Sequence, residues 1–250
     1  MLKDFHGDFQ EVVKELSRLS NVVFLEKEEV AKNAGIALTS QDARLVALDG
    51  IQRNLITVGY WIRALHSLKS ECSGRNWEKT YLDKLGVRPG IYPGDSHRTG
   101  KIEDMMLYIQ FEALVTLTHF NIDNLFYNTL RAVGEDPNKN KSFGQNMEAL
   151  LRQAGFPKDG TEGDALKAFS QVRNSYHNNG IHRNADFHAT VAGVSFDFNK
   201  GCKVECASWS HILHLLEVVV KVLGSILSSA NIRGIVGEIK DDFASGGVQP

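Results

Sequence analysis

The chain has 250 residues, 42% of them apolar and 23% charged, and a formal charge of −2. This is the composition of an ordinary globular protein, long enough to bury a sizeable core. The charge balance excludes a global basic field, so any contact with nucleic acid must be local.

Three cysteines (Cys72, Cys202 and Cys206) are too few for a disulfide framework and suit reduced thiols. No run is read as reaching the ~20 apolar residues of a membrane span. The opening MLKDFHGDFQEVVKEL carries acids where a signal peptide needs a basic start and an apolar core. The expectation is a cytoplasmic chain with no membrane partner.

All five prolines lie at position 89 or beyond, which leaves the first part of the chain free of the strongest helix breaker. Apolar spacing of three and four predicts one helix over 8–20 and another over about 26–38. Between 41 and 72, Leu45, Leu48, Ile51, Leu55, Val58, Ile62 and Leu65 mark one face of a longer helix. Residues 73–100, rich in glycine and interrupted by two prolines, predict a long ordered loop with a short helix near 76–85. Its function is either to connect subdomains or to bind.

The longest helix is predicted over 102–133, ending near Gly134 and Pro137. Two more follow over 142–154 and 162–179, the second stopped by Asn178-Asn179-Gly180. The period then switches. A strand from Thr190 to Phe198, a turn at Asn199-Lys200-Gly201 and a strand from Cys202 to Cys206 predict a β-hairpin. An apolar helix over 208–231 and a disordered tail over 244–250 close the chain. The expected fold class is therefore all-α, a helical bundle with one small β-hairpin at about 190–206. The expected organisation is an unassigned N-terminal helical region over 1–100 and a helical domain over 101–243.

Chemistry is concentrated in Arg173-Asn174-Ser175-Tyr176-His177-Asn178-Asn179-Gly180. Arg173 and His177 are one helical turn apart, so their side chains sit about 40° apart with Cβ atoms about 6 Å from each other. A fixed cation beside a ring that titrates near neutral pH can serve a phosphate. The residues resemble the signature of the HEPN superfamily (higher eukaryote and prokaryote nucleotide-binding): an arginine followed by a polar residue, then a histidine near a helix end. The order around it is similar too, with a long helix before the motif, then a hairpin and a closing apolar helix with Trp209 near its start. The resemblance covers roughly residues 102–231. The family spacing usually leaves four to six residues between arginine and histidine, and here there are three. Pairing Arg173 with His182 instead leaves eight and crosses Gly180.

The resemblance implies a HEPN-type bundle with metal-independent endoribonuclease activity and no cofactor. His177 would take a proton from a ribose 2′-hydroxyl or give one to the leaving 5′-oxygen, and Arg173 would stabilise charge on the phosphate. Asn174 would orient the histidine or bond the phosphate, with Asn178 and His182 in support. The implied partners are single-stranded RNA, a second copy in a homodimer, and a cognate antitoxin or defence-system partner, as for a toxin or a phage-defence effector. The alternatives are a non-catalytic HEPN-like dimerising scaffold, a nucleotide- or RNA-binding module, and a helical interaction protein.

On the predicted helix 102–133, Glu112, Thr116, His119 and Asp123 fall within a ~60° sector. Either this stripe faces solvent, or it forms a second wall of the site, with Glu112 or Asp123 locking the guanidinium and His119 as a second titrating group. Cys202, Cys206, His211 and His214 suggest zinc, but a straight strand would hold the thiols ~13 Å apart, so no metal site is expected. In the loop, Arg75, Trp77, Lys79, Tyr81, Lys84, Arg88, Tyr92, His97, Arg98 and Lys101 interleave cations with aromatics as single-stranded RNA would require. Acids at Glu71, Glu78, Asp83 and Asp95 fit a merely solvated loop instead. Tyr176 is expected to pack with Phe169 and Val172.

Overall fold

With no proline or turn signal before residue 35, the first apolar pattern continues as a single helix, α1 (Phe9–Ala34). The break expected between residues 20 and 26 does not occur. Lys27 stands on the buried stripe between Val23 and Val30 and interrupts its apolar pattern. Its ammonium stays in the core because it forms an ion pair with Asp49 at 2.8 Å. Gly35, at φ +66, ends the helix.

The computed structural model describes residues 9–71, 80, 83–84, 98–137 and 142–241. Most of the predicted loop, including Arg75, Trp77, Lys79, Tyr81, Arg88, Tyr92 and His97 of its cation and aromatic series, and the tail over 244–250 lie outside the described residues; Lys84 of that series is described and pairs with Glu71 at 3.0 Å. In the remainder the chain is all-α with one two-stranded antiparallel hairpin. After α1 come α2 (Ala43–Ser70), α3 (Arg98–Ala132), α4 (Phe143–Ala154) and α5 (Thr161–Tyr176). The strands β1 (Phe187–Val191) and β2 (Val194–Phe198) follow, then α6 (Trp209–Leu227) and α7 (Ala230–Arg233).

The predicted face of α2 is buried from Leu45 to Ile62, and only Leu65 is half-buried. α1 and α2 pack lengthwise, α2 lies on α3, and α6 touches α1, α4 and α5. One apolar core therefore runs across residue 100, joining Leu16, Leu19 and Leu48 with Phe126, Phe169 and Leu216. Gly50 permits the close approach of α2 to α3, because a Cβ there would sit 2.6 Å from the Asn121 amide nitrogen.

Trp209–Leu227 is long and apolar enough, by length and composition, to cross a membrane, which corrects the expectation that no run is. Here 61% of that window is buried against the other helices, the position of a core helix.

The hairpin is shifted from its predicted strands. Ala192 and Gly193 both have positive φ (46 and 81) and form a two-residue turn, so Thr190–Phe198 contains parts of both strands rather than being one. Val191, Val194, Phe196 and Phe198 point into the core. Residues 202–206 form no strand; Lys203 makes only an isolated bridge to Ile181. Asn199-Lys200-Gly201 is a turn as expected, closed by a bond from the Cys202 amide to the Asn199 carbonyl at 3.0 Å.

The C-terminal segment crosses back over the bundle. Asp42, at the start of α2, accepts from the Ile239 amide at 2.8 Å, and Arg44 donates to the carbonyls of Ile232 and Gly237. Asp241 then accepts from Asn124 and Asn128 on α3. This strap anchors the helix that carries the polar stripe.

Candidate functional site

α5 buries Ala165, Leu166, Ala168, Phe169 and Val172, a face that fixes the direction of its last turn. Arg173 follows on that turn, half-buried, and His177 is the exposed capping residue. The chain then turns sharply through Asn179 and Gly180, with φ of 55 and 78. The Gly180 amide donates to the Ser175 carbonyl at 2.8 Å, and the Asn178 amide nitrogen Nδ2 donates to the Asn174 carbonyl at 2.8 Å. The end of the motif helix is thus capped, and His177 is held at its tip.

The stripe on α3 meets this turn. His119 is only 7% exposed, with its ring 4.1 Å from that of Phe143 and 6.3 Å from that of Phe169. Burial pushes its pKa down to about 4, and the charges of Arg173 and His177 push the same way. Asp123 is pushed up by burial and pulled down by Arg173. His119 therefore lies within electrostatic reach of Arg173 and His177, and Asp123 within reach of Arg173. With His119 buried and Glu112, Thr116 and Asp123 half-buried, the stripe is not a solvent face.

The wall does not lock the guanidinium. Arg173 Nη1 donates to Asn174 Oδ1 at 3.2 Å, and among the described residues Arg173 forms no ion pair, with Glu112, Asp123 or any other acid. Arg173 Nε, His119 Nε2 and Thr116 Oγ1 are buried without a hydrogen-bond partner. Unmatched buried polar atoms are costly, and the described residues hold others, among them Thr118 Oγ1, Asn146 Oδ1 and His182 Nδ1, so these three are not unique to the motif. Asn174 orients the arginine by this bond, and no bond joins it to His177.

Glu112 lies elsewhere on the stripe, beside Tyr108 and Tyr176, and adds to the rise that burial imposes on both phenols. Tyr176 packs on Phe111 and Tyr108, with centroids 5.1 and 5.7 Å away, and donates its hydroxyl to the Ala207 carbonyl. His182 is held by the hairpin. It is buried, its Nε2 donates to the Ala185 carbonyl at 2.8 Å, and its ring lies 5.5 Å from Phe198. Three of the four zinc candidates take separate partners. Cys202 is exposed, Cys206 points to the Asp197 carbonyl, His211 pairs with Ser208 and His214 with the Val191 carbonyl.

Sequence reasoning missed two features. Phe143 roofs His119, and its only sequence signal is its place just after the helix-capping Ser142. A cleft of about 420 Å³ opens beside the motif, lined by Tyr108, Ser175, Tyr176, Gly180, Lys203, Val204, Glu205, Ala207 and Ser208. No local pattern announces it, because it forms only when residues 203–208 fold back over α5. No family model, curated protein or solved structure matches the chain.

Proposed function

We propose that the chain is a metal-independent endoribonuclease of the HEPN type, acting on single-stranded RNA as a homodimer. The observation that supports this most is the half-buried Arg173 guanidinium, unpaired with any acid among the described residues and set beside the rings of His177 and His119. Arg173 binds the non-bridging oxygens of a phosphodiester, with Asn174 holding the guanidinium in place. The 2′-oxygen attacks phosphorus as its proton passes to His177, and the bond from phosphorus to the 5′-oxygen breaks. The leaving oxygen takes a proton, giving a 2′,3′-cyclic phosphate and a 5′-hydroxyl. In a two-fold dimer the partner's motif supplies the second imidazole. His119, kept neutral by burial, stands behind the pair as a positioning group. A cellular toxin or antiviral effector restrained by a cognate partner fits this activity.

A second reading, a non-catalytic dimerising scaffold or RNA-binding module of the same type, draws on one fact: neither Arg173 nor His177 lines the neighbouring cleft. One assay separates the two. Purified protein in EDTA is expected to cut single-stranded RNA, and His177→Ala to lower the rate by about 10²–10⁴-fold, the usual worth of a general acid or base. Stability should change by less than about 1 kcal/mol, because His177 is exposed. Intact RNA with the wild-type chain favours the scaffold.

A further inference from the structure

The cleft next to the motif is not explained by phosphate chemistry at Arg173. It has the volume of a small-ligand site, about 420 Å³, and its lining is mixed in a particular way. On one wall Tyr108 is exposed although aromatic, and its ring is tilted 54° to that of the buried Tyr176. Tyr176 cannot swing away, because its hydroxyl is bonded to the Ala207 carbonyl and its ring rests on Phe111. A rigid aromatic floor with an exposed aromatic beside it is how proteins receive a flat ring by stacking. Lys203 and Glu205, which also line the cleft, are exposed. Among the described residues neither forms an ion pair, so an ammonium and a carboxylate are both available to a ligand. Ser175 and Gly180 line the near edge, two residues before His177 and three after it, so the cleft reaches the end of the motif helix.

We infer that this cleft is a nucleobase-binding subsite. The base stacks on Tyr108 over the floor formed by Tyr176, Glu205 accepts from its exocyclic amino group, and Lys203 holds an adjoining phosphate. Adenine, cytosine and guanine carry that amino group, so they are preferred to uracil. The same chemistry could come from a free nucleotide or from one residue of an RNA chain. The placement of the cleft at the helix end favours the chain, with the next phosphate lying over Arg173 and His177, and that part rests on the ribonuclease reading.

Calorimetric titration of the full chain tests this with the four nucleoside 5′-monophosphates and with an uncleavable 2′-O-methyl RNA hexamer. Saturable binding is expected, with AMP, CMP and GMP tighter than UMP. Tyr108→Ala should weaken it about tenfold, and Tyr108→Phe should restore it, since stacking needs the ring and not the hydroxyl. Lys203→Ala should flatten the salt dependence of hexamer binding. A hexamer that binds at least tenfold tighter than any mononucleotide identifies an RNA chain as the source, and equal affinities identify the free nucleotide. The inference is overturned if no probe saturates, or if folded Tyr108→Ala binds as tightly as the parent. The two readings fail separately. Binding that depends on Tyr108 without cleavage removes the nuclease and leaves the subsite, whereas cleavage without such binding does the reverse.

Discussion

Arg44 is buried and Arg173 half-buried, and their surroundings treat the two guanidinium groups in opposite ways. Arg44 and Asp42 are fully enclosed, with Nε and Nη2 of the arginine each 2.8 Å from a different carboxylate oxygen. The carboxylate also accepts from the Arg44 and Ile239 amides, and Nη1 and Nη2 of the arginine reach the carbonyls of Ile232 and Gly237. Around Arg173 the accounts are left open: Nε is buried and unpartnered, and so are His119 Nε2 and Thr116 Oγ1. A buried charge with every nitrogen matched rigidifies the fold and offers little to a ligand. One with donors to spare beside a solvent-exposed histidine is open to an acceptor from outside. The difference separates a structural lock from a candidate site without reference to any motif.

Removing one partner of the lock is the severest test of that contrast. Asp42→Ala leaves the Arg44 cation enclosed without its counter-charge and releases the Ile239 amide, so it should cost about 3–5 kcal/mol. Urea unfolding reads this directly as a fall in midpoint at unchanged slope. Because the strap ends with Asp241 on Asn124 and Asn128, α3 should loosen with it. A loss below about 1 kcal/mol would show that the strap is not held by this pair.

The open cluster should reveal itself through pH rather than through truncation. His119 has its pKa pushed down to about 4, from an ordinary value of about 6.5. Between those values the unfolded chain binds a proton that the folded site refuses. Its contribution to stability is therefore complete above about pH 6.5 and is lost as pH falls toward 4, by up to about 3 kcal/mol. Asp123 has the opposite sign. Its carboxyl is pushed up by burial, so it favours the folded state below the ordinary carboxylate range and loses that contribution as pH rises. Urea midpoints at pH 7.5 and 4.5 should fall further for the wild type than for His119→Gln, which cannot titrate. Equal falls would detach His119 from the cluster.

How much of this could be read from the residues depended on whether the signal was local. The α2 face from Leu45 to Ile62 was legible because one period runs unbroken through it, and the helix expected over 142–154 is α4, which the structure shows capped by Ser142 and Gly155. For the α3 stripe the residues left two readings open, a solvent face or a second wall, because spacing alone does not say which neighbour covers His119. Failures arose where a long-range partner rewrote the local pattern. Lys27 broke the α1 stripe because its counter-ion lies on another helix. The Ala192-Gly193 turn was passed over because alanine at positive φ has no propensity signal. The Asp42–Arg44 lock and the tyrosine cleft each join segments that are far apart in sequence, so neither leaves a spacing to read.

The smallest effect tests how the two kinds of burial meet at the tip of α5. Asn178 is half-buried, and its side chain donates to the carbonyl of Asn174, the residue that also holds the Arg173 guanidinium. If Asn178 only caps the helix end, Asn178→Ala should cost about 0.5–1.5 kcal/mol, the net worth of one hydrogen bond, and Asn178→Ser should recover part of it. Cleavage should then fall only as far as the orientation of Arg173 is relaxed, and it should fall through KM more than through kcat, because the guanidinium binds the phosphate before and during the reaction. A large loss in kcat at unchanged stability would instead place the Asn178 amide on the reacting phosphate. That result would move Asn178 from the matched side of the comparison to the open one, since its present partner would be one it gives up when RNA binds.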